Sequence, residues 1–212
     1  MNDLQKLLKF DSETQALAQI SGRLGWDQET MMASGSAEQR GAEIAAIEGI
    51  LHARKCDDQV GEWLSNINDE SLDEIPKAQL REIKRSFERA KKVPGDLAQK
   101  IARTTSVSQG KWATARADNN FSAFVPVLEE VLKLKREEGQ ALATNADLYD
   151  TMLIDYEPGT TADKLSKMFG ALRPGLVELR GAILEKEPAE KLQGSFDEVT
   201  QIKISSLLAE TR

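Results

Sequence analysis

Apolar residues recur along this chain at steps of three and four, the spacing of an amphipathic helix. Leu4, Leu7 and Leu8, then Leu17, Ile20 and Leu24, predict a first helix reaching Met31 or Met32. Ser36-x-x-Gln39 has the form of a capping box and opens a second helix, with Ile44, Ile47, Ile50 and Leu51 on one face. A shorter helix follows from about Val60 to Ile67. Pro76 suits the first position of a helix carrying Leu80, Ile83 and Phe87.

Val93-Pro94-Gly95 punctuates the chain, and Pro94 can start a helix with Leu97 and Ile101 that runs towards Ala117. That helix is polar and contains Gly110, so packing rather than propensity must hold it. Asp118-Asn119-Asn120 reads as a turn, with Ser122 as a cap for the stretch Phe124 to Leu142. Leu128, Val131, Leu132 and Leu134 supply its apolar stripe. Asn145 to Tyr156 reads as a loop with a short helix, and Glu157 to Thr161 as a turn into a helix from about Ala162. Pro174 should kink or interrupt that helix. Ser195-x-x-Glu198 is a further capping-box pattern, followed by Ile202, Ile204, Leu207 and Leu208. No alternating strand pattern persists and no repeat is visible. The expected class is all-α, with several long antiparallel helices in a single domain over 1–212, the last helix, about 195–212, reading as cut short.

Composition narrows the function classes. The 212 residues are 40% hydrophobic and 30% charged, a globular balance. A formal net charge of -7 and no basic stripe argue against nucleic acid and against anionic membrane surfaces as partners. No apolar run approaches a membrane span, and no secretory leader pattern opens the chain, so the expected setting is cytoplasmic. There is one Cys and one His. Cys56 and His52 are spaced i, i+4, but with no further ligand nearby they read as a thiol and a helix-end imidazole. No metal ligand set and no catalytic residue is assigned to this chain, which as it stands is expected to hold no cofactor.

One segment carries a resemblance. Trp26-Asp27-Gln28-Glu29-Thr30-Met31-Met32 is similar to the Trp-Asp-x-Glu-Thr-x-Met-Pro segment near the start of the thermostable carboxypeptidase (carboxypeptidase Taq) family, with Ala33 where the family often has Pro. Further pieces follow in order. Leu80-Arg81-Glu82 through Ala90, then Val93-Pro94, resemble the family's Leu-Arg-Glu-x-x-Arg-x-Tyr/Phe-x-x-Ala stretch. Phe121-Ser122-Ala123-Phe124 with Leu128, and Leu134-Lys135-Arg136-Glu137, resemble its Phe-x-x-Phe-x-Pro-x-Leu region. Tyr149-Asp150-x-x-Leu153-x-Asp155-Tyr156-Glu157-Pro158-Gly159 is another match. The resemblance runs from about Leu4 to about Leu208.

The resemblance implies the N-terminal part of a helical, usually homodimeric, zinc- or cobalt-dependent metallocarboxypeptidase that removes residues from peptide C-termini. In that family a His-Glu-x-x-His helix and a further carboxylate hold the metal, and no such motif occurs here. The chain alone is therefore expected to be inactive. The alternative is a non-catalytic helical interaction or regulatory module that retains the family scaffold. Trp26, Asp27, Glu29 and Thr30 are candidates to line a substrate groove or to brace the fold, Trp26 as an anchor in the core. Tyr149 and Tyr156, with Asp150, Asp155 and Glu157, form a second candidate cluster, for groove or for loop packing. Met31 and Met32 read as core.

Overall fold

Asn2 starts the first helix with a reciprocal cap. Its side chain accepts from the Gln5 amide at 2.9 Å, while the Gln5 side chain accepts from the Asn2 amide at 3.1 Å. The computed structural model describes residues 1–70, 72–143, 147–188 and 194–210. Among them every regular element is helical: α1 (Asp3–Thr30), a 3-10 turn (Ser34–Ser36), α2 (Ala37–Lys55), α3 (Asp58–Asn66), α4 (Glu74–Ala90), α5 (Gly95–Ala117), α6 (Phe121–Leu142), α7 (Leu148–Leu153), α8 (Ala162–Leu184) and α9 (Glu198–Glu210). The chain divides into two compact units, 1–161 and 162–212.

Within the first unit α2 packs most extensively on α5, α5 on α6, and α1 on α2. Short turns join α1 to α2 and α5 to α6, so these packed neighbours run antiparallel. The α5–α6 turn is a Schellman motif. Asn119 takes the left-handed conformation at φ 48, the Asn120 amide donates to Ala115 O at 2.8 Å, and the Asn119 amide to Arg116 O at 3.3 Å.

The core gathers Leu7 of α1, Val60 of α3 and Leu80 of α4, with Phe10, Trp63, Ile83 and Phe87 packed around them. Leu7 has 0% of its surface exposed, and a leucine so placed stabilises the fold by about 1.5–3 kcal/mol relative to exposure. Phe10 and Trp63 meet edge to face with ring centroids 5.7 Å apart. The guanidinium carbon of Arg54 lies 3.9 Å from the Phe10 ring centre, and Arg54 also donates to Thr14 Oγ1 at 2.9 Å and Phe10 O at 3.0 Å. That one cation fastens α2 to α1.

Close helix approach explains two glycines. A Cβ on Gly41 would stand 2.8 Å from Val107 Cγ2 of α5, and one on Gly139 would stand 2.7 Å from Leu148 Cδ1 of α7. In the second unit α8 and α9 contain no buried residue.

Several sequence expectations about helix ends are corrected. Ser36 makes no capping bond; it ends the 3-10 turn at φ -94, ψ 5, so the chain enters α2 already turning and lacks the extended geometry a cap needs. α4 begins at Glu74 behind Asp73, which puts Pro76 third rather than first. The missing N–H costs little there, because first-turn amides have no intrahelical acceptor. Asn120, not Ser122, caps α6 by accepting from the Ala123 amide at 3.1 Å. Asp197, not Ser195, serves the start of α9, accepting from the Thr200 amide at 2.9 Å. Of the kink or interruption expected at Pro174, the interruption does not occur: α8 continues through it. The short helix expected near Tyr149 is α7, capped by Asp147 at 2.8 Å to the Tyr149 amide; Asn145 lies outside the described residues.

Candidate functional site

The C-terminal turns of α1 present the matched segment, and three helices position it. Arg40, in the second turn of α2 and with its side chain only 11% exposed, donates through Nη2 to Asp27 Oδ2 and through Nη1 to Leu24 O. Its Nε reaches Glu43 at 3.1 Å. Fork geometry of this kind fixes direction as well as charge. Donation to Asp27 holds the Arg40 guanidinium pKa above its ordinary value, against the opposing effect of burial. Asp27 thus serves as an α1–α2 brace.

On the other side of α1, Gln28 and Ser106 of α5 bond reciprocally. Ser106 Oγ donates to Gln28 Oε1 at 2.6 Å, and Gln28 Nε2 donates to Ser106 O at 3.2 Å. Gln109 Nε2 donates to Glu29 Oε2. These bonds line an open cleft of about 640 Å³ between the end of α1, α5 and the start of α6, with Gln28, Glu29, Met32, Gln109, Lys111 and Asn120 among its walls. Thr30 Oγ1 donates back to Trp26 O at 2.7 Å within α1 and braces the last turn.

Trp26 itself is 63% exposed, so the core-anchor reading of this residue is corrected, and Trp63 holds that place instead. Met31 is also exposed rather than core, since it caps the end of α1. Of the six sequence candidates, Glu29 lines the large cleft, and Trp26, Asp27 and Thr30 adjoin it in sequence.

Tyr149 and Tyr156 are both exposed, and neither lines that cleft. Their neighbours serve the packing of α4, α6 and α7. Arg89 bridges Glu138 at 2.9 Å and Asp155 at 2.7 Å, and Lys135 adds a third arm to Glu138 at 2.8 Å. Glu138 is buried, and two cations compensate its charge.

His52 and Cys56 do not make a metal centre. His52 Nε2 lies 2.7 Å from Val93 O, which requires that nitrogen to carry its proton and donate. Cys56 Sγ lies 3.8 Å from both ring nitrogens, and burial pushes its thiol pKa up, opposed by Lys91 and Lys55. A zinc-bound thiol must be a thiolate, the reverse of the shift at Cys56, and one imidazole beside it falls short of the three protein ligands a catalytic zinc takes. Among the described residues no group of three His, Cys, Asp or Glu could hold a metal ion. The His52–Cys56 pair alone does not fit a catalytic zinc.

Arg40, Ser106 and Gln109 escaped the sequence reading. Their partners stand 13, 78 and 80 residues away, beyond any local spacing rule.

Comparison with known proteins places this geometry. Residues 6–211 match the family described as carboxypeptidase Taq (M32) metallopeptidase. Thermostable carboxypeptidase 1 of Thermus thermophilus is 33% identical over 193 residues, which cover 85% of this chain and 38% of that protein. The metallocarboxypeptidase 1 structure of Trypanosoma cruzi superposes with a TM-score of 0.78 at 25% identity, covering 98% of this chain and 43% of that one. The crystal structure of BsuCP shares the fold with a TM-score of 0.89 over 98% of this chain and 43% of its own length. The chain therefore spans about two fifths of the relatives it matches.

Proposed function

The chain belongs to the carboxypeptidase Taq (M32) metallopeptidase family, and we propose that it supplies the N-terminal, groove-forming part of an enzyme removing residues from peptide C-termini. The observation that supports this is the family match over residues 6–211 in a sequence with a single His, whose alignment with the Thermus thermophilus relative covers only 38% of that protein. The zinc (or cobalt) chemistry of such an enzyme is assigned to residues outside this sequence, and no step of it is derived from the residues present. On this proposal the 212-residue chain binds no catalytic zinc and hydrolyses nothing by itself.

The chain's own residues would act by shape. Arg40 clamps α1 to α2 through Asp27, and the Gln28–Ser106 and Glu29–Gln109 bonds clamp α1 to α5. A wall held in this way keeps Trp26 and Glu29 at fixed positions. The exposed indole of Trp26 offers an apolar face for a substrate side chain, Glu29 a polar edge, and Thr30 braces the turn beneath them. Tyr149 and Tyr156 are assigned to a more distant part of the same wall. In the proposed setting both units belong to one helical domain of a cytoplasmic, homo-oligomeric enzyme; among the described residues no helix is long and apolar enough to cross a membrane.

The test is a metal-dependent assay of C-terminal residue release with the purified chain, run beside its zinc content. The expected outcome is no release and substoichiometric zinc. Chelator-sensitive release by the chain alone would overturn the proposal.

A further inference from the structure

Met168, Leu172, Leu176, Leu179 and Ile183 follow one another along α8 at steps of four, four, three and four, a continuous helical stripe. Each is between 51% and 61% exposed. Beyond Met168 the charged residues, Arg173, Glu178 and Arg180, lie off the stripe, and Lys164 ends it on the N-terminal side, one step of four before Met168. A 23-residue helix with an interior proline and no buried residue has little to hold it in water. Exposed apolar surface of this continuity marks an interface.

The solved relatives indicate what covers it. They superpose on 98% of this chain, α8 therefore included, yet the chain accounts for only 43% of their length. The fold in which α8 takes this place contains more than as much chain again. We propose that the apolar stripe of α8 is the docking surface for the part of the M32 fold that this chain does not span. This rests on the groove-forming reading above and adds the partner to it. A second copy of the chain is the competing occupant.

The experiment compares hydrogen exchange at the α8 amides in two proteins. One is the 212-residue chain by itself, across a concentration series. The other is a chimera in which the chain replaces the matched region of the Thermus thermophilus carboxypeptidase. Exchange in α8 should be at least about tenfold slower in the chimera than in the chain alone. Equal exchange would overturn the proposal. The double variant Leu172→Asp with Leu179→Asp should return α8 of the chimera to fast exchange and leave the melting of the isolated chain unchanged. An equal loss in the isolated chain would put the stripe in the chain's own core and overturn the proposal.

The isolated chain decides even if the chimera is insoluble. Slow, concentration-dependent exchange in α8, with a dimer in sedimentation that the double variant dissociates, would make a second copy the occupant. Fast exchange at every concentration is the expected result. Activity separates the two proposals. A chimera with protected α8 and no carboxypeptidase activity would refute the enzymatic reading alone, whereas an active chimera with unprotected α8 would refute the docking surface alone.

Discussion

Leu7 of α1 and Leu176 of α8 are both leucines on the apolar face of a long helix, yet the first is 0% exposed and the second 53%. The first unit surrounds its stripe with Val60, Leu80 and the Phe10–Trp63 pair; the second has no buried residue among those described. Hydrophobic periodicity thus declares that a helix has a face to bury. It does not say against what. In the first unit the partner helices lie within the same 161 residues, whereas for α8 the partner is assigned to a part of the fold beyond this sequence.

The largest effect that separates the units is a core truncation. Leu7→Ala should cost about 2–5 kcal/mol of stability, while Leu176→Ala in the isolated chain should stay within about 0.5 kcal/mol. Denaturant unfolding followed by circular dichroism reads both, and equal losses would erase the contrast.

Next comes the α2–α5 contact. Gly41→Ala gains helix propensity, but its methyl would stand 2.8 Å from Val107 Cγ2, a β-branched side chain with few rotamers to yield into. A net loss of about 1–3 kcal/mol is expected, and the same change at Gly181, with open space around it, should stabilise α8 by about 0.5–1 kcal/mol. The thermal melt should fall for the first variant, whereas the second should leave the melt in place and raise the helical circular-dichroism signal.

Cys56 sharpens the comparison chemically. Burial raises its pKa, so at pH 8 the folded first unit should react with iodoacetamide more slowly than the chain in urea. Matching rates would mean that the α2 end is open.

The smallest effect is at the start of α9. The Thr200 hydroxyl and amide hold the Asp197 carboxyl below its ordinary value of 3.8. A folded pKa below the unfolded one contributes stability above the unfolded value, and that contribution is lost as pH falls through the folded one. The first turn of α9 should therefore fray below about pH 4 while the first unit stays folded. Amide shifts of residues 198–201 through an acid titration would report it, and Asp197→Asn should flatten the response.

Much of the helical layout was legible because apolar spacing is local. Helix ends were less so. Ser36 and Ser195 had capping-box patterns and Ser122 read as a cap, yet a 3-10 turn replaced the first, and Asn120 and Asp197 took the place of the other two. When two capping residues stand within a few positions, the backbone path decides between them, and that path is set by tertiary packing. The family motif was legible as a string, but the work of each residue in it was not. Trp26 and Trp63 both sit on amphipathic helices, and only the packing of α3 against α1 sends Trp63 inside. Asp27 acquires its meaning from Arg40, across the reversal between α1 and α2.

The contact between Gly41 and Val107 has a consequence for the order in which the molecule assembles. It closes a loop that contains the rest of α2, all of α3 and α4, and half of α5. Helix hairpins such as α5–α6 need only a short closure, so they can form early, in microseconds. The principal interface must instead wait for a long excursion to return, with an entropic cost that grows only slowly with loop length. On the ribosome α2 cannot find α5 until Val107 has left the exit tunnel. Until then the earlier helices have the Arg54–Phe10 and Arg40–Asp27 contacts and the Leu7–Val60–Leu80 core, all built from residues that emerge before α5.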